Sequence, residues 1–331
     1  MAKQVDYLKK LQDEFDMFTS DLTEELKVIP TGSISLDVST EIGGIPIGRS
    51  TMIYGPFSSA KTTLCLNIAK SALDLDYEVA YVDAENTMDG SYVEKILGVV
   101  PDEKFILYQP DTAENALTIC EYLIRSGKYG LVILDSIGAL APEEELKKEL
   151  KENSMTLVPR LLSKFLRRNT FLIKKNNVAF VLVNQVRANM KSYYGGYDVP
   201  GGNALKHFTV LWISLSKGTV IKQGEEDIGI YSSFVIKKNK LGRPFRAHSF
   251  PVIFGEGIDK TWNLIEFSEM LGVLQKKGSF YSFEGSTLGQ GVLKTKLFLE
   301  ENPEILDKVR KLCYTLVNKI PIEKGEVEDE T

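Results

Sequence analysis

Cysteine and histidine are scarce in this 331-residue sequence, which contains three cysteines and two histidines. Cys65, Cys120 and Cys313 lie far apart without paired spacing, so the sequence predicts reduced thiols in a reducing compartment and excludes a disulfide framework. His207 and His248 have no cysteine close to them in sequence, so the spacing of a zinc cluster is absent.

Long apolar runs are also missing. No stretch of about 18 apolar residues occurs, so the sequence predicts no membrane-spanning segment and no membrane partner. The first residues are polar and lack the apolar centre of a signal peptide. Apolar residues make up 43% of the chain and charged residues 26%, which is the usual balance of a soluble globular protein.

The chain has no overall excess of basic residues. Its formal net charge is −5, which by itself argues against nucleic-acid binding. Residues 154–197, however, contain basic side chains and no acidic ones, which predicts either a polyanion site or a solvated basic helix face. The basic residues of this stretch are Arg160, Lys164, Arg167, Arg168, Lys174, Lys175, Arg187 and Lys191.

Short apolar runs alternate with helical stretches between residues 50 and 254. Several of these runs are apolar throughout, as in strands buried on both faces of a parallel sheet. The later runs follow one another through short turns, which indicates an antiparallel continuation. We therefore predict an α/β fold with a mostly parallel, mixed sheet. The strand candidates are Thr51–Tyr54, Glu78–Val82, Phe105–Tyr108, Leu131–Leu134, Val178–Val183, Val210–Ser216, Ser232–Lys237 and Ala247–Ile253.

The predicted core is flanked by smaller segments. Leu8, Leu11, Phe15 and Phe18 make one apolar stripe on an N-terminal helix, which docks either on its own core or on a neighbouring copy. The last residues are acidic and predicted to be disordered. The predicted boundaries are 1–30 for the helix and linker, 31–255 for the core, 256–320 for a small C-terminal α/β domain and 321–331 for the tail.

The strongest motif is a turn rich in glycine and serine between a strand candidate and a helical stretch. Backbone amides of such a loop and the helix N-terminus can surround phosphate oxygens. Lys61 would reach the β- and γ-phosphates, and the Thr62 hydroxyl would ligate Mg²⁺. Ala60 stands where glycine is usual, and its cost depends on whether the position requires a positive φ. The motif comprises Gly55, Pro56, Phe57, Ser58, Ser59, Ala60, Lys61, Thr62 and Thr63.

Polar residues follow three further strand candidates. Asp135 follows an apolar run, which is a typical position for an aspartate that holds Mg²⁺ through water. Glu85 could activate an attacking water. Gln185 could sense a γ-phosphate by hydrogen bonding. Each residue alone is more often a cap or a strand terminator. The three residues together, at the carboxyl ends of strands in an open α/β sheet and next to a phosphate loop, predict a nucleotide site.

A long loop rich in glycine, aromatic and basic residues follows Gln185. It contains no acidic residue before Asp198. Such a composition suits single-stranded nucleic acid, because charges follow the backbone and aromatic rings stack on bases. The position of the loop beside Gln185 would connect the nucleotide state to DNA binding.

Ordered motifs along nearly the whole chain resemble the RecA family. The resemblance implies a RecA-like P-loop NTPase core, ATP and Mg²⁺ as cofactors, and a cytoplasmic location in a bacterial or phage-infected cell. Its implied partners are single-stranded DNA, double-stranded DNA and further copies of the chain in a helical filament. The motifs include Thr31-Gly-Ser-Ile-Ser-Leu-Asp, Asp83-Ala-Glu, Gln109-Pro-Asp-Thr-Ala-Glu, Asn184-Gln-Val-Arg, Gly201-Gly-Asn-Ala-Leu-Lys, Lys238-Asn-Lys, Gly289-Gln-Gly and Glu301-Asn-Pro-Glu.

The resemblance also implies residue roles at the nucleotide. Glu85 matches the catalytic glutamate, acting with Lys61, while Gln185 matches the sensor of the γ-phosphate. Asp135, with Thr62, matches the Mg²⁺ site. The residues that match further nucleotide contacts are Tyr92, which stacks on adenine, Asp89, which lies near the same base, and Lys238 and Lys240, which reach a neighbour's ATP.

The DNA contacts are implied in the same way. Residues that match the two DNA loops and their flanks are Met155, Arg160, Arg187, Gly201, Gly202, Asn203 and Ala204. The N-terminal helix matches an arm that packs on the adjacent protomer. Ala60, Phe57 and His207 depart from the family pattern, which is typical of a phage-encoded or divergent member and leaves the ATP turnover rate open.

The predicted function is that of an ATP-dependent DNA recombinase. This DNA-dependent ATPase would form a helical filament on single-stranded DNA, pair it with homologous duplex and promote strand exchange in recombination and repair. Two alternatives share the P-loop: a ring-forming RecA-fold motor, and an ATP-gated coat on single-stranded DNA with little hydrolysis. The Lys238-Asn-Lys240 motif argues against a ring, and the acid-free loop region argues against a small-molecule kinase.

Overall fold

A nine-stranded sheet forms the centre of the computed structural model, which describes residues 25–99, 101–147, 157–189, 196–198 and 200–317. The predicted N-terminal helix, the acidic tail and Met155 lie outside these ranges. The first strands are β1 (Val28–Ile29), β2 (Ile45–Pro46), β3 (Ser50–Gly55), β4 (Glu78–Asp83), β5 (Phe105–Tyr108), β6 (Tyr129–Asp135), β7 (Ala179–Gln185), β8 (Arg187–Asn189) and β9 (Gly196–Asp198). The later strands are β10 (Leu211–Gln223), β11 (Glu226–Asn239), β12 (Ala247–Ile253), β13 (Gly257–Ile258), β14 (Gln275–Lys277), β15 (Phe280–Phe283) and β16 (Ser286–Gln290).

Helices connect most of the parallel strands and build the C-terminal region. They are α1 (Ile34–Ser39), α2 (Lys61–Asp74), α3 (Gly90–Leu97), α4 (Ala113–Ser126), α5 (Glu143–Lys147), α6 (Leu157–Lys175), α7 (Asn203–Phe208), α8 (Lys260–Met270), α9 (Gly291–Glu301) and α10 (Pro303–Val317). Within the described ranges, every helix is too short or too polar to cross a bilayer.

The main sheet has the order β13-β12-β11-β10-β3-β7-β6-β4-β5. Neighbouring strands from β10 to β5 run parallel, whereas the pairs from β10 to β13 are antiparallel. The predicted mixed, mostly parallel sheet is therefore confirmed. The sheet continues to Ile258, slightly beyond residue 255.

The uninterrupted apolar runs are explained by helices on both faces of the sheet. In β7, Val181 and Val183 contact the cluster that includes α2, whereas Phe180 and Leu182 contact the opposite cluster with α4 and α6. Successive side chains of a strand point to opposite faces, so a strand covered on both sides needs apolar residues at every position.

A smaller three-stranded sheet, β14-β15-β16, packs with α8, α9 and α10 around a third apolar cluster. Ile34 and Val38 of α1 belong to this same cluster, so the segment before the main sheet also supports the C-terminal region. A buried polar contact joins the two parts, because Asn263 Oδ1 of α8 accepts hydrogen bonds from Ser33 Oγ (3.0 Å) and from the backbone amide of Ser35 (3.2 Å).

Asp37 is a buried carboxyl group at this junction. It lies in α1 with 3% of its surface exposed, and its Oδ1 accepts a 2.7 Å hydrogen bond from the Thr31 amide. Burial raises the pKa of Asp37 from 3.8 to about 7, although the Thr31 hydrogen bonds and the charge of Lys260 act in the opposite direction. The folded state therefore disfavours the ionised form of this side chain.

Substitution Asp37→Asn should change the pH dependence of stability. Because the folded-state pKa is raised, the stability contributed by protonated Asp37 is fully present below about pH 4 and is lost as the pH rises through about 7. Between about pH 4 and about pH 7, the unfolding free energy of the wild type should therefore fall relative to that of the variant, by at most about 1.4 kcal/mol per pH unit. Denaturant titrations at several pH values measure the difference.

Asp74→Asn is the matched control for this prediction, because Asp74 lies on the surface of α2 with 53% of its side chain exposed. A pH-independent difference between the wild type and Asp37→Asn would contradict the burial argument.

Candidate nucleotide and DNA sites

Strand register brings the polar strand ends together. Gly55 at the end of β3 pairs with Gln185 at the end of β7, and Asp83 of β4 pairs with Asp135 of β6. The four strands run parallel, so their carboxyl ends meet at one edge of the sheet, where open α/β folds bind ligands.

The loop from β3 to α2 is held by close packing and hydrogen bonds. A Cβ atom on Gly55 would lie 2.3 Å from the carbonyl oxygen of Leu215, so the position accepts only glycine. Ser59 Oγ donates to the Pro56 carbonyl (2.8 Å), and Ser232 Oγ of β11 donates to the Ser59 carbonyl (2.9 Å). These contacts keep the loop compact at the edge of the sheet.

The N-terminus of α2 lacks a cap. Ala60 precedes the helix in a left-handed conformation (φ 64°, ψ 29°) and makes no side-chain capping bond. Leu64 donates its amide to the Ala60 carbonyl (2.9 Å), so the preceding amides of Lys61, Thr62 and Thr63 have no partner within the helix. Such amides at the positive end of the helix dipole suit a phosphate group.

The conformation of Ala60 answers the question left open by the sequence. Its φ of 64° lies in the region that favours glycine, so the Cβ atom costs about 1 kcal/mol or more.

Lys61 and Thr62 project from the first turn of α2 towards the strand ends. Lys61 Nζ donates to the carbonyls of Gly55 (3.1 Å) and Pro56 (2.8 Å). Burial lowers the pKa of Lys61, while the charges of Asp135 and Glu85 oppose this shift. Thr62 Oγ1 donates to Asp135 Oδ2 over 2.9 Å.

Asp135 is almost completely buried, with 4% of its surface exposed. Burial raises its pKa to about 6, although hydrogen bonds from Tyr81 and Thr62 stabilise the charged form. The described residues contain no group of three or more His, Cys, Asp and Glu side chains that could hold a metal. The hydroxyl of Thr62 and the carboxylate of Asp135 nevertheless fit Mg²⁺, which takes few protein oxygens and relies on phosphate oxygens and water.

Glu85 lies beside these groups in a network of its own. Its Oε1 accepts hydrogen bonds from Ser136 Oγ and from Gln185 Nε2, both at 2.6 Å. Asp83 fixes the turn that carries Glu85, because its carboxylate accepts from the amides of Glu85 (3.1 Å) and Met88 (2.9 Å). Three strand ends therefore meet around one carboxylate.

The hydroxyl of Tyr92 lies next to the phosphate loop. Tyr92 OH is 2.7 Å from Thr63 Oγ1 in the first turn of α2. Asp89 caps α3 by accepting from the amides of Ser91 (2.7 Å) and Tyr92 (3.3 Å). The structure thus gives Asp89 a helix-capping contact and brings the Tyr92 hydroxyl to the first turn of α2.

Lys238 and Lys240 do not reach the phosphate loop of their own chain. Lys238 pairs with Trp212 of β10, and Trp212 pairs in turn with Met52 of β3, so Lys238 lies at the level of Met52. The backbone amide of Lys240 donates to the carbonyl of Val210, beside the start of β3. At about 3.3 Å per residue, they lie roughly 10–16 Å along the sheet from Gly55. Their amines instead donate to carbonyls at the C-terminal end of α7, which belong to Lys206, His207 and Thr209.

A second candidate site lies between α6 and α7. Arg160, Gly202, Asn203 and Ala204, all predicted to bind DNA, line a groove of about 470 Å³. Pro159, Ser163 and Arg167 complete its lining. Gly201 has a φ of 106°, and a Cβ there would lie 2.4 Å from Leu205, so this turn into α7 requires glycine. Arg187 lies in β8, directly after the strand that ends in Gln185.

Two family profiles match the chain. The profile described as RecA N-terminal domain covers residues 12–259, and the one described as RecA C-terminal domain covers residues 263–316. The chain belongs to the RecA family. It is accordingly an ATP-dependent DNA recombinase and a DNA-dependent ATPase, as its similarity to RecA proteins along most of the sequence indicates.

Individual relatives agree with this assignment. The RecA protein of Thermus aquaticus is 40% identical over 308 residues, which are 92% of this chain and 90% of the relative. The RecA protein of Syntrophus aciditrophicus is 39% identical over 289 residues, or 87% and 84%. A solved structure of the RadB recombinase aligns with a TM-score of 0.53 at 24% identity, covering 70% of this chain and 98% of that one, and shows the fold alone.

Three site contacts were not predicted from the sequence of this RecA-family chain. Tyr81 donates its hydroxyl to Asp135 (2.7 Å), Ser136 donates to Glu85, and Arg167 lines the groove between α6 and α7. A signal existed for Tyr81, because a hydroxyl inside a buried apolar strand requires a polar partner. For Arg167 the sequence offers no signal beyond its place in the basic stretch.

Replacing Ala60 by glycine should stabilise the protein by up to about 1 kcal/mol, because the left-handed conformation then carries no Cβ penalty. Ala69→Gly in the middle of α2 is the matched control and should destabilise by about 1 kcal/mol or more. Chemical denaturation measures both variants. A loss of stability in Ala60→Gly as large as in the control would contradict the strain argument.

Proposed function

We propose that the edge formed by β3, β4, β6 and β7 binds and hydrolyses Mg²⁺–ATP, and that nucleotide binding controls a filament on DNA. The observation that carries the proposal is the convergence of Lys61, Thr62, Asp135, Glu85 and Gln185 around the uncapped start of α2. These side chains supply a phosphate contact, metal ligands, a base and a hydrogen-bond sensor within one site.

Lys61 and the free amides of α2 would bind the phosphates, and Thr62 and Asp135 would hold Mg²⁺ directly or through water. The bound ion supplies neutralisation of negative charge on the phosphates. Tyr92 would cover the base, because its hydroxyl contacts Thr63 in the first turn of α2. The geometry supports these roles through contacts of the chain itself.

Glu85 would act as the general base that orients and deprotonates water. In the present structure its Oε1 is engaged by Ser136 and Gln185. We propose that the Gln185 amide changes partner from Glu85 to the γ-phosphate, which frees one side of the carboxylate. The start of the following loop would then move with Gln185.

DNA would lie in the groove between α6 and α7. Arg160 and Arg167, which line this groove, provide positive charge for the phosphates. Asn184 Nδ2 donates to the Pro200 carbonyl (2.6 Å), so the end of this loop is anchored beside the strand where it begins. This hydrogen bond therefore joins the end of the proposed DNA loop to the residue that precedes Gln185, the proposed nucleotide sensor. Duplex DNA would be paired on the same filament during strand exchange.

The α7 helix offers a route between DNA and the neighbouring protomer. Its first residues line the groove, and its last carbonyls hold Lys238 and Lys240. We propose that these lysines complete the ATP site of the next protomer, since the fold places them away from their own.

The contact that joins protomers would involve β5, which is the edge strand of the main sheet in the described part of the chain. A groove of about 260 Å³ beside this strand is lined by Val93, Leu97, Phe105 and Leu107 and includes the acidic residues Glu94 and Asp102. The apolar stripe predicted for residues 5–18 matches the apolar part of this lining. We propose that this segment of one copy occupies the groove of the next.

The Glu85→Gln variant should retain ATP binding, DNA binding and filaments but lose about 100-fold or more of its DNA-stimulated ATP turnover, because only the base is removed. Lys61→Ala should instead lose nucleotide-dependent DNA binding. Hydrolysis assays, fluorescent-nucleotide binding and electron microscopy separate these steps. Glu103→Gln, on the surface before β5, is the control.

Wild-type turnover in Glu85→Gln would contradict the assignment of the base. Closed rings with ATP and single-stranded DNA would favour a ring-forming motor. Filaments of the wild type without DNA-stimulated turnover would favour an ATP-gated coat.

Arg160→Ala and Arg167→Ala should each weaken binding to single-stranded DNA of any sequence and reduce the slope of log K against log salt by about 0.7. Binding isotherms at several salt concentrations measure this slope. Arg168→Ala is the matched control, because Arg168 lies on the same helix but pairs with Glu121 of α4 at 2.8 Å. Equal effects of all three substitutions would contradict the proposed groove.

A further inference from the structure

Tyr81 places a buried hydroxyl group beneath the proposed metal site. The residue lies in the middle of β4, has no exposed surface and packs its ring against Phe105 with centroids 6.5 Å apart. In the parallel register Tyr81 pairs with Ile133, and Asp83 pairs with Asp135. Asp135 is therefore a diagonal neighbour of Tyr81, within the reach of an aromatic side chain.

The two hydrogen bonds to Asp135 converge on one of its oxygens. Tyr81 OH donates to Oδ2 from the strand below (2.7 Å), and Thr62 Oγ1 donates to the same Oδ2 from α2 (2.9 Å). Oδ2 is thus committed to protein donors. This arrangement leaves Oδ1 as the oxygen that neither donor engages, and it fixes the plane of the carboxylate.

An aspartate carboxylate needs such fixing, because its terminal torsion has a broad energy minimum. Partners behind a metal ligand orient it, and their removal typically weakens metal binding by about 10- to 100-fold. Tyr81 meets this description: it touches Asp135 but is shielded from solvent by the sheet and α2.

We infer that Tyr81 is a positioning residue for Mg²⁺, which holds the Asp135 carboxylate in the orientation that receives the ion together with ATP. The inference rests on the proposed Mg²⁺–ATP site and adds a residue that the P-loop motif does not contain. Tyr81 itself touches neither substrate nor ion, so it acts only through Asp135.

A purely structural role makes a different prediction. If Asp135 served only to satisfy the buried tyrosine hydroxyl, loss of that hydroxyl would alter stability and leave the Mg²⁺ dependence of nucleotide binding unchanged. The two interpretations are therefore separated by a binding measurement and not by stability or activity alone.

The test is Tyr81→Phe, which removes one oxygen atom and keeps the ring. A fluorescent ATP analogue is titrated at increasing Mg²⁺ concentrations, without DNA and without turnover. We expect the Mg²⁺ concentration at half-maximal nucleotide binding to rise about 10-fold. Binding of the same nucleotide without Mg²⁺ should equal that of the wild type.

Tyr54→Phe is the matched control. Tyr54 is also a core tyrosine, on β3 directly before Gly55, but its hydroxyl bonds with Ser214 and its ring packs edge-on against Trp212. This variant should keep the wild-type Mg²⁺ dependence. Near-ultraviolet circular dichroism of both variants verifies that the core remains folded.

A double-mutant cycle with Asp135→Asn shows whether the effect passes through Asp135. Tyr81→Phe should add no further shift once the carboxylate has been replaced. An unchanged Mg²⁺ dependence in Tyr81→Phe, or the same shift in the Asp135→Asn background, would overturn the inference while leaving the proposed site intact. ATP binding by the wild type that is independent of Mg²⁺ would instead refute the proposed site and the inference together.

Discussion

The register of four parallel strands is the constraint on which the nucleotide site depends. Gly55 pairs with Gln185 and Asp83 with Asp135, so each strand delivers its last residue to the same edge. A slip by one residue would turn Asp135 to the other face of the sheet, away from Thr62 and Tyr81. The apolar core residues below, such as Val181 and Ile133, hold this register because both faces are covered by helices.

The phosphate loop contains features that lower its stability in the absence of a ligand. Ala60 occupies a left-handed conformation, α2 begins without a side-chain cap, and Lys61 is buried with backbone carbonyls as hydrogen-bond partners. Each of these features lowers the stability of the free protein. The uncapped amides and the Lys61 amine are groups that a phosphate would satisfy, so their cost is offset when the loop is occupied, whereas the strain at Ala60 remains.

Much of the fold and the positions of the candidate nucleotide-site residues at strand ends could be predicted from the sequence, because their signals are local. The run Leu131–Leu134 followed by Asp135 predicts a buried parallel strand with a carboxylate at its end, and the Gly55–Thr63 loop has a recognisable composition. The conformation of Ala60 and the contact between Tyr81 and Asp135 could not be predicted. They depend on a backbone angle and on the register between strands, neither of which sequence spacing reveals.

The reversal of direction between β10 and β11 has a consequence for assembly. It returns the chain to the opposite end of the sheet, so that Lys238 and Lys240 lie far from the Gly55 loop of the same molecule. With these lysines acting in trans as proposed, a row of protomers contains one fewer complete catalytic centre than it has subunits. Its two termini are then chemically different: one presents an incomplete ATP pocket, and the other presents a pair of lysines without a nucleotide to serve.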